Sequence, residues 1–446
     1  MVRPCPPRPG LALAAMLLVA TPAAVVSADA PPPVPAPPDI PAKIRLEDAL
    51  RIQSERSLAL ASADATVASA AAQARIAGAL PNPTLGFGVG KSWDCPGGGC
   101  ENPVWSGSLG DQGALAFVVT GVRGLAVDTA EQGLKAATAS RSDVLRNQTS
   151  LLKQQFVNMV IAARALQFTR EEASLAEETV ALARKRLQAG AMSEADVARL
   201  EVLQLQLEQA VDRAAQATRQ ARAALAQTLG VRPAPVEFEA DGPEFSSALL
   251  PPRLSGATQA SLTEEARRNR PDLDAVRAQV EQGRLSASLA RRQLVPQFAL
   301  QLSYTQQGSP GNYFTPPTGT VGLSVPLPVL YQQQGQVGQA EAATRLAEVA
   351  LAKLEAQITA EVAIAWSAMV AARSAAQRGE QRLLERSRTA RDLVRLQYTK
   401  GAASLLEHLD AQRVHINNQI DYLFSLAAYW TAVFQLEQAV GTTFLP

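Results

Sequence analysis

The chain repeats one pattern twice, and this internal duplication restricts its possible folds more than any other feature of the sequence. Pro81 recurs as Pro296, 215 residues further on, and Gly190 recurs as Gly401, 211 residues further on. Each copy has the predicted order helix, two strands, very long helix and second helix. The glycine stands at the break between the last two helices. We therefore predict one structural unit that is used twice, side by side.

The first thirty residues have the pattern of an export signal. Arg3 and Arg8 precede an apolar run at 11–26, and small residues follow that run, as in secretory signal peptides. We expect the mature chain to begin near Asp29. The predicted organisation is a signal peptide at 1–30, a proline-rich segment at 31–45, a first repeat at 46–230, a linker at 231–259 and a second repeat at 260–446.

Heptad spacing predicts helices much longer than those of globular proteins. In the helix predicted at 125–189, apolar or small side chains recur every seventh residue, as in coiled coils. At ~1.5 Å per residue this helix is about 100 Å long. Only 5% of the chain is aromatic, which favours closely packed helices over a thick core. The seam residues are Leu145, Leu152, Met159, Leu166, Ala173, Val180 and Leu187.

Each long helix is preceded by two strand candidates. The four predicted strands lie at 83–91, 114–122, 297–306 and 319–327. Their lengths suit a transmembrane β-strand of ~9–11 residues, whereas no stretch after the signal approaches the ~20 apolar residues of a transmembrane helix. Four strands do not close a barrel, and open sheet edges are not tolerated in lipid, so several copies must share one barrel.

The order of these motifs resembles the TolC family of outer-membrane efflux proteins. The resemblance rests on LEDAL at 46–50, LPNP at 80–83, VPLP at 325–328 and the two helix breaks at Gly190 and Gly401. It covers nearly the whole mature chain. It implies an α+β membrane protein with four transmembrane β-strands per protomer in a shared twelve-strand trimeric barrel, continued by a long periplasmic α-helical barrel.

The resemblance also implies partners. Members of this family are homotrimers in outer-membrane lipid, and their periplasmic end docks with an adaptor protein and an inner-membrane pump. No cofactor is implied, because the pump supplies the energy. The Pro-Leu-Pro at 326–328 with Gly335 resembles the branch that works with RND-type exporters of heavy-metal cations. Drug-type and type I secretion systems stay open as alternatives.

By this resemblance, the two helix breaks form the periplasmic tips. Glycine supplies each turn, and a serine can cap the next helix. These residues form ordinary helix turns in any case; the functional hypothesis is that their small side chains also admit the adaptor. Ala403 stands where the family often has a basic residue. The predicted docking residues are Gly190, Ala191, Met192, Ser193, Gly401, Ala402, Ala403 and Ser404.

Two acidic residues after the second tip match the place where the family narrows its tunnel. Glu407 and Asp410 are three residues apart, hence on one helix face. Repeated threefold, they would put six carboxylates around one axis, which would attract cations. The alternative is a solvated acidic face, which is common on helices.

Cysteine and histidine give little support to a metal site. Cys95 and Cys100 flank Pro-Gly-Gly-Gly, and in an exported chain a small disulfide loop is the preferred reading over two free thiols. A metal knuckle there has no nearby histidine. His408 and His415 are separated by about 10 Å of helix, too far to share one metal. We therefore predict no metal site built by this chain.

Charge and motif content exclude other functions. Lys and Arg number 42 and Asp and Glu 41, without the basic stripe that nucleic-acid binding requires. No nucleophile-and-base spacing or paired-carboxylate cleft indicates an enzyme. The remaining alternative is a soluble periplasmic coiled-coil scaffold, but such a rod has no use for two long-looped strand pairs.

Overall fold

The computed structural model describes residues 34–36, 40–90, 104–232, 237–307 and 316–444. The predicted signal peptide and the predicted Cys95–Cys100 loop lie outside these ranges. The first part of the chain contains β1 Lys43–Ile44, α1 Leu46–Arg56, α2 Leu58–Gly78, β2 Thr84–Gly90, β3 Val104–Gly110, α3 Ala114–Val119, α4 Val122–Gln188, α5 Glu194–Thr228 and β4 Glu239–Ala240. The second part contains α6 Gln259–Asn269, α7 Pro271–Arg292, β5 Ala299–Gln307, β6 Thr318–Ser324, α8 Gln334–Arg378, α9 Leu384–Thr399 and α10 Leu405–Val440.

The long helices form the body of the molecule. Helix α4 has 67 residues, about 100 Å at ~1.5 Å per residue, and its predicted seam is confirmed because Leu152, Met159 and Val180 are buried. On the side of the strands, the helices pack in the order α2, α4, α7, α8. On the opposite side, α4 packs with α5, and α10 packs with α4 and α9. The result is a wall of helices rather than a globular core.

The long helix of the second repeat is interrupted. The sequence predicts one helix to about Thr399, whereas the structure places a π-helical turn, Gly379–Leu383, between α8 and α9. A β-carbon on Gly379 would lie 3.0 Å from the ring of Tyr422. The extra residue therefore lies where the π-helical turn approaches α10 closely.

The shorter helices before the strands are each broken once. The predicted helix from Leu46 to Ala79 ends at Arg56 and restarts after Ser57, which is extended at ψ 126°. The equivalent helix of the second repeat breaks at Arg270, because Pro271 disfavours helical backbone in the residue before it.

The four longer strands form one antiparallel sheet in the order β2-β3-β5-β6. Their registers place apolar side chains on one face: Leu85, Phe87, Val89, Trp105, Leu109, Leu300, Leu302, Tyr304, Val321 and Leu323. The opposite face carries mainly glycine and hydroxyl side chains: Thr84, Gly86, Gly88, Ser106, Ser108, Ser303, Thr305, Thr318, Thr320 and Ser324. Neither face has a charged residue within the described strands. The sheet is thus apolar on one side and polar on the other.

The predicted strand at 114–122 is wrong. Ala114–Val119 is helix α3, and the second strand lies earlier, at Val104–Gly110. A short apolar run does not by itself distinguish a strand from a helix, and left-handed glycines bracket this one, Gly113 at φ 79° and Gly121 at φ 77°. The true strand was hidden because Gly107 interrupts its apolar alternation.

The other strand predictions need only small corrections. Those at 83–91 and 297–306 correspond to Thr84–Gly90 and Ala299–Gln307. The prediction at 319–327 runs too far, because pairing with β5 stops at Ser324. Pro326 follows, and proline has no N–H to donate to a strand partner.

The linker forms part of the main hydrophobic core of the molecule. Phe245 is fully buried and makes edge-to-face contacts with Phe156, Trp430 and Phe434 at centroid distances of 6.1, 5.1 and 6.1 Å. The Trp430 Nε1 donates a hydrogen bond to the Ser247 carbonyl at 3.2 Å. The linker therefore ties a helix of the first repeat to a helix of the second.

Buried ion pairs also join neighbouring helices. The Lys153 ammonium on α4 lies 2.6 Å from the Glu437 carboxylate on α10, and both side chains are almost fully buried. Arg270 contacts Asp272 at 2.6 Å and Glu361 at 2.5 Å. Burial opposes the charge of Arg270, but these two carboxylates outweigh it and raise the pKa of its guanidinium.

We expect Glu437→Ala to destabilise the protein by about 3–5 kcal/mol, because it leaves the buried Lys153 ammonium without its carboxylate. Thermal unfolding followed by circular dichroism measures the effect. The matched control is Glu201→Ala, which removes the exposed partner of Arg184 and should cost about 1 kcal/mol or less. Equal shifts in the two variants would contradict a structural role for the buried pair.

Candidate channel constriction and docking tips

Both predicted tips are tight turns of the same construction. Gly190 and Gly401 have φ 69° and 75°, values that glycine adopts without strain. The Ala191 N–H donates to the Arg186 carbonyl at 2.8 Å, and the Ala402 N–H donates to the Gln397 carbonyl at 2.8 Å. These six-to-one hydrogen bonds are Schellman motifs, which end a helix by satisfying its last carbonyls.

Serine caps the helix after each turn. The Ser193 Oγ accepts a hydrogen bond from the Asp196 N–H at 3.1 Å, and the Ser404 Oγ accepts one from the Glu407 N–H at 3.3 Å. Around the glycines, Ala191, Ser193, Ala402 and Ser404 are exposed, whereas Met192 and Ala403 are half-buried. The small exposed side chains lie on the outer surface of the turns.

The two tips lie next to each other. Leu405 after the second tip packs with Val180, Val197 and Leu200 from the hairpin of the first repeat, and Met192 contacts the same cluster. The duplication therefore places two equivalent turns at one end of the molecule, opposite the sheet. Met192 contributes to this packing rather than to the exposed surface.

Glu407 closes a capping box with Ser404. Its Oε2 accepts hydrogen bonds from the Ser404 backbone N–H at 2.7 Å and from the Ser404 hydroxyl at 2.9 Å. These bonds lower the pKa of the Glu407 carboxyl, and the bond from the backbone N–H has the larger effect. The side chain is exposed, and part of its role is structural, because it caps the start of α10.

Asp410 is exposed one turn further along α10. It lines a groove between α5 and α10 together with Arg199, Leu406 and Arg413. Glu407 and Asp410 thus occupy neighbouring exposed positions on α10, as the sequence predicts. The nearby arginines are a feature that the sequence spacing did not indicate.

A buried polar cluster that the sequence pattern does not predict lies between α4, α9 and α10. The Ser387 hydroxyl lies 3.2 Å from the His415 Nδ1, and both residues are buried. Glu172 is also buried. Burial raises the pKa of its carboxyl, although Arg391 and a hydrogen bond with Gln412 act to lower it. The available signal was Gln412, a polar residue three positions after Leu409 and four before Ile416, the spacing of a coiled-coil seam.

In the described ranges, no group of three or more His, Cys, Asp or Glu side chains lies close enough to hold a metal ion. His408 instead stacks on Tyr398, with ring centroids 5.1 Å apart and nearly parallel planes. Burial lowers the pKa of the His408 imidazole, and Arg395 lowers it further.

No helix among the described residues is long and apolar enough to cross a membrane.

Comparisons with known proteins agree with the architecture. The chain is 22% identical to the cobalt-zinc-cadmium resistance protein CzcC of Cupriavidus metallidurans, over 72% of this chain and 74% of that protein. It is 26% identical to protein CyaE of Bordetella pertussis, over 95% of this chain and 90% of that protein. The crystal structure of the outer membrane protein VceC from Vibrio cholerae superposes with a TM-score of 0.70 at 19% identity, covering 90% of this chain and 96% of VceC.

A family model described as outer membrane efflux protein matches residues 50–231 and 262–442, most of the chain. The two matched ranges correspond to the two copies of the repeated pattern. This is a family of transport proteins that reside in the outer membrane, with their helical part in the periplasm. The chain therefore belongs to the outer membrane efflux protein family and is an outer-membrane efflux channel.

Proposed function

We propose that this protein is the trimeric exit duct of a tripartite efflux system and conducts cargo passively from a periplasmic adaptor and an inner-membrane pump to the exterior. The observation that carries the proposal is the four-stranded sheet. One of its faces is apolar across all four strands apart from Gln306 near the end of β5, and the other carries mainly hydroxyl groups and glycine. Such a sheet fits between lipid and water, whereas a soluble scaffold would have no use for it.

The edges of the sheet support assembly from several copies. Within the described part of the chain, β2 and β6 each have a strand partner on one side only. Unpaired backbone groups are not tolerated in hydrocarbon, so β6 of one copy is proposed to pair with β2 of the next. Three copies then close a barrel of twelve strands, a size that leaves a water-filled interior.

The wall of helices also has two uncovered edges, formed by α2 and α8, which adjoin the outer strands β2 and β6. The exposed positions of α2 include Leu58, Ser62, Ala65, Ser69, Ala72 and Ile76, and those of α8 include Ala342, Leu346, Val349, Lys353, Ala356 and Ala360. Both sets follow alternating steps of three and four residues, the spacing of a coiled-coil seam. We propose that α2 of one copy packs against α8 of the next.

The duplication supplies the register of this contact. Gly133 of α4 packs against Gln282 of α7, since a β-carbon there would lie 2.9 Å from the Gln282 Nε2. Subtracting the 215-residue offset between Pro81 and Pro296 from position 282 of α7 gives position 67 of α2. Adding the 214-residue offset between β3 and β6 to position 133 of α4 gives position 347 of α8. An antiparallel contact through 67 and 347 aligns the two seams to within about one residue. It places Leu58 opposite Ala356, Ser62 opposite Lys353, Ala65 opposite Val349, Ser69 opposite Leu346 and Ala72 opposite Ala342.

The adaptor is proposed to dock at the two tips. Gly190, Ala191, Gly401 and Ala402 are exposed and small, so the adaptor can approach their backbone closely. Beside them lie Ser193, Ala403 and Ser404. Met192 supports the docking surface indirectly, because it packs in the cluster that joins the two tips. We propose an RND-type pump as the energy source.

Glu407 and Asp410 are proposed to form the narrowest part of the duct. Both are exposed on α10 directly after the second tip, and a threefold axis would collect six carboxylates there. The hydrogen bonds that lower the pKa of Glu407 favour its charged form. Such a ring attracts cations and selects against anions.

Heavy-metal cations are the proposed cargo. CzcC is a cobalt-zinc-cadmium resistance protein, and a cation-selective entrance suits such a substrate. A drug or a secreted polypeptide is the alternative cargo. Loss of the gene should sensitise cells to divalent metal ions under the first proposal and to organic compounds under the second.

We expect a disulfide between copies when Ala65→Cys and Val349→Cys are combined in a chain carrying Cys95→Ser and Cys100→Ser. Non-reducing gel electrophoresis should show covalently linked chains after mild oxidation. The matched control pairs Ala65→Cys with Ala350→Cys, which is exposed but lies about 100° further round the helix. Equal cross-linking in both pairs would contradict the proposed seam.

We expect Glu407→Gln with Asp410→Asn to abolish most of the cation preference of single channels in planar bilayers. Gln still accepts the hydrogen bonds of a capping box, so the tip should stay folded while the charge is lost. The control is Glu385→Gln with Asp392→Asn, an exposed acidic pair on α9, which should leave the preference unchanged. Pores that keep their preference in the first variant would remove these residues from the constriction and leave the duct intact.

A further inference from the structure

The segment between β3 and α4 joins the two repeats of one chain. This segment, residues 111–121, includes α3 and lies against the residues that lead into β5. The Asp111 N–H donates to the Leu300 carbonyl at 3.0 Å, and the Asp111 carboxylate accepts a hydrogen bond from the Leu300 N–H at 2.7 Å. The Arg292 Nε donates to the Thr120 carbonyl at 2.5 Å. The joint lies at the level where the sheet ends and the long helices begin.

The equivalent segment of the second repeat has nothing of its own chain to pack against. It follows β6, which is an edge strand of the described sheet, and comprises residues 325–331. Leu327 is 72% exposed and Leu330 is 99% exposed, whereas Ala116 in the first joint is fully buried. The Val325 N–H has no backbone hydrogen bond within the described chain. This apolar segment is therefore left without a cover.

A second uncovered surface lies at the opposite edge of the same sheet. Residues 76–85 lead from α2 into β2, and among them Ile76 is 71% exposed and Leu80 is 51% exposed. Residues 81–83 are also exposed, whereas their counterparts 296–298 are half-buried, where the first joint lies against them. Each edge of the chain thus carries one half of a joint whose other half is missing.

The duplication gives the register in which these two edges would meet. Within the chain, Gly110 of β3 pairs with Gln301 of β5. Adding the offset of 214 residues to the first number and subtracting the offset of 215 residues from the second places Ser324 of one copy opposite Gly86 of the next. The joint between copies would then repeat the joint between repeats.

The faces of the two strands agree with this register. Directly opposite residues of antiparallel strands lie on the same face of the sheet, and a slip of one residue would set apolar side chains opposite polar ones. In the deduced register, apolar residues meet apolar residues throughout. The pairs are Val321 with Val89, Leu323 with Phe87, and Val325 with Leu85.

We propose that residues 325–331 of each copy pack against residues 76–85 of the next copy and seal the joint between copies. Val325 stands where the first joint has Asp111, so burial of apolar side chains replaces the hydrogen bonds of the carboxylate. The inference rests on the proposed function, because it takes several copies to share one barrel. Without this contact, the wall of the duct would have an opening beside every copy, between the strands and the helices.

A second copy fits the segment better than lipid does. The backbone after β6 is irregular: two prolines lack an N–H, and the Val329 N–H turns back to the Leu327 carbonyl at 2.9 Å. Irregular backbone is tolerated at membrane depth only where protein covers it or where it lines a water-filled cavity. The exposed apolar residues at the end of α2 provide such a cover, and the deduced register brings them to the segment.

The first joint also identifies the pair of positions to test. A β-carbon on Gly113 would lie 3.5 Å from the Phe298 carbonyl oxygen. The same two offsets give Leu327 of one copy and Pro83 of the next. Within one chain, these two positions follow and precede opposite edges of the sheet, so a link between them would join different chains.

We expect a short bismaleimide to link chains that carry Leu327→Cys with Pro83→Cys, in a background of Cys95→Ser and Cys100→Ser. The protein is reconstituted in lipid vesicles, its conductance is recorded, and linked dimers and trimers are detected on a reducing denaturing gel. The matched control combines Leu327→Cys with Val89→Cys. Val89 lies six residues further along β2, about 20 Å away at ~3.3 Å per residue, and should give severalfold less product.

A second pair repeats the test without replacing a proline. Val325→Cys and Leu85→Cys lie directly opposite each other in the deduced register and should form a disulfide between chains after mild oxidation. Its control is Val325→Cys with Thr84→Cys, because successive side chains of a strand point to opposite faces. The control should remain mostly unlinked.

The outcomes separate this joint from the proposed function. Linked chains in both test pairs, with little product in both controls, would support the joint. Conducting pores whose chains stay unlinked, or link equally in test and control pairs, would overturn the joint and leave the exit duct standing. A preparation with neither pores nor linked chains would overturn the exit duct and the joint with it.

Discussion

The structure depends on one constraint: backbone N–H and C=O groups at the edge of a sheet must be paired before that edge can enter lipid. Each unpaired group in hydrocarbon costs several kcal/mol. A single chain provides four strands, and its outermost strands, β2 and β6, have one partner each in the described sheet. The proposed number of copies, the seam between helices and the continuous duct all follow from pairing those two edges.

The hydrophobic core around Phe245 holds the two repeats in a fixed position relative to each other. There Phe245 of the linker packs between Phe156 of the first repeat and Phe434 of the second, and Lys153 pairs with Glu437 between the same two helices. Buried ion pairs add little net stability, but they disfavour alternative registers because a shifted helix would bury one charge without the other. The relative register of α4 and α10 is fixed here, and with it the position of one tip beside the other.

The sequence predicts the parts of the fold that depend on local periodicity. The long helices, their seams and both tips could be read from heptad spacing and from Gly190 and Gly401, because these signals need no distant partner. The second strand could not: the run at 114–119 is apolar enough for either structure, and the left-handed turns at Gly113 and Gly121 decide for a helix.

The candidate site was predictable only in part, for the same reason. Glu407 and Asp410 share an exposed stretch of α10, as their spacing predicts, but the capping role of Glu407 depends on the exact start of the helix at Ser404. The burial of Glu172 and His415 depends on how three helices meet, and a single sequence does not contain that crossing.

Native mass spectrometry of the purified protein, released from detergent micelles, tests the central claim most directly, since it counts the chains that share one barrel. We expect a complex of three chains, with monomers appearing only under conditions that also abolish conductance. A conducting preparation that contains only monomers would contradict it, because four strands would then have to satisfy their own edges in lipid.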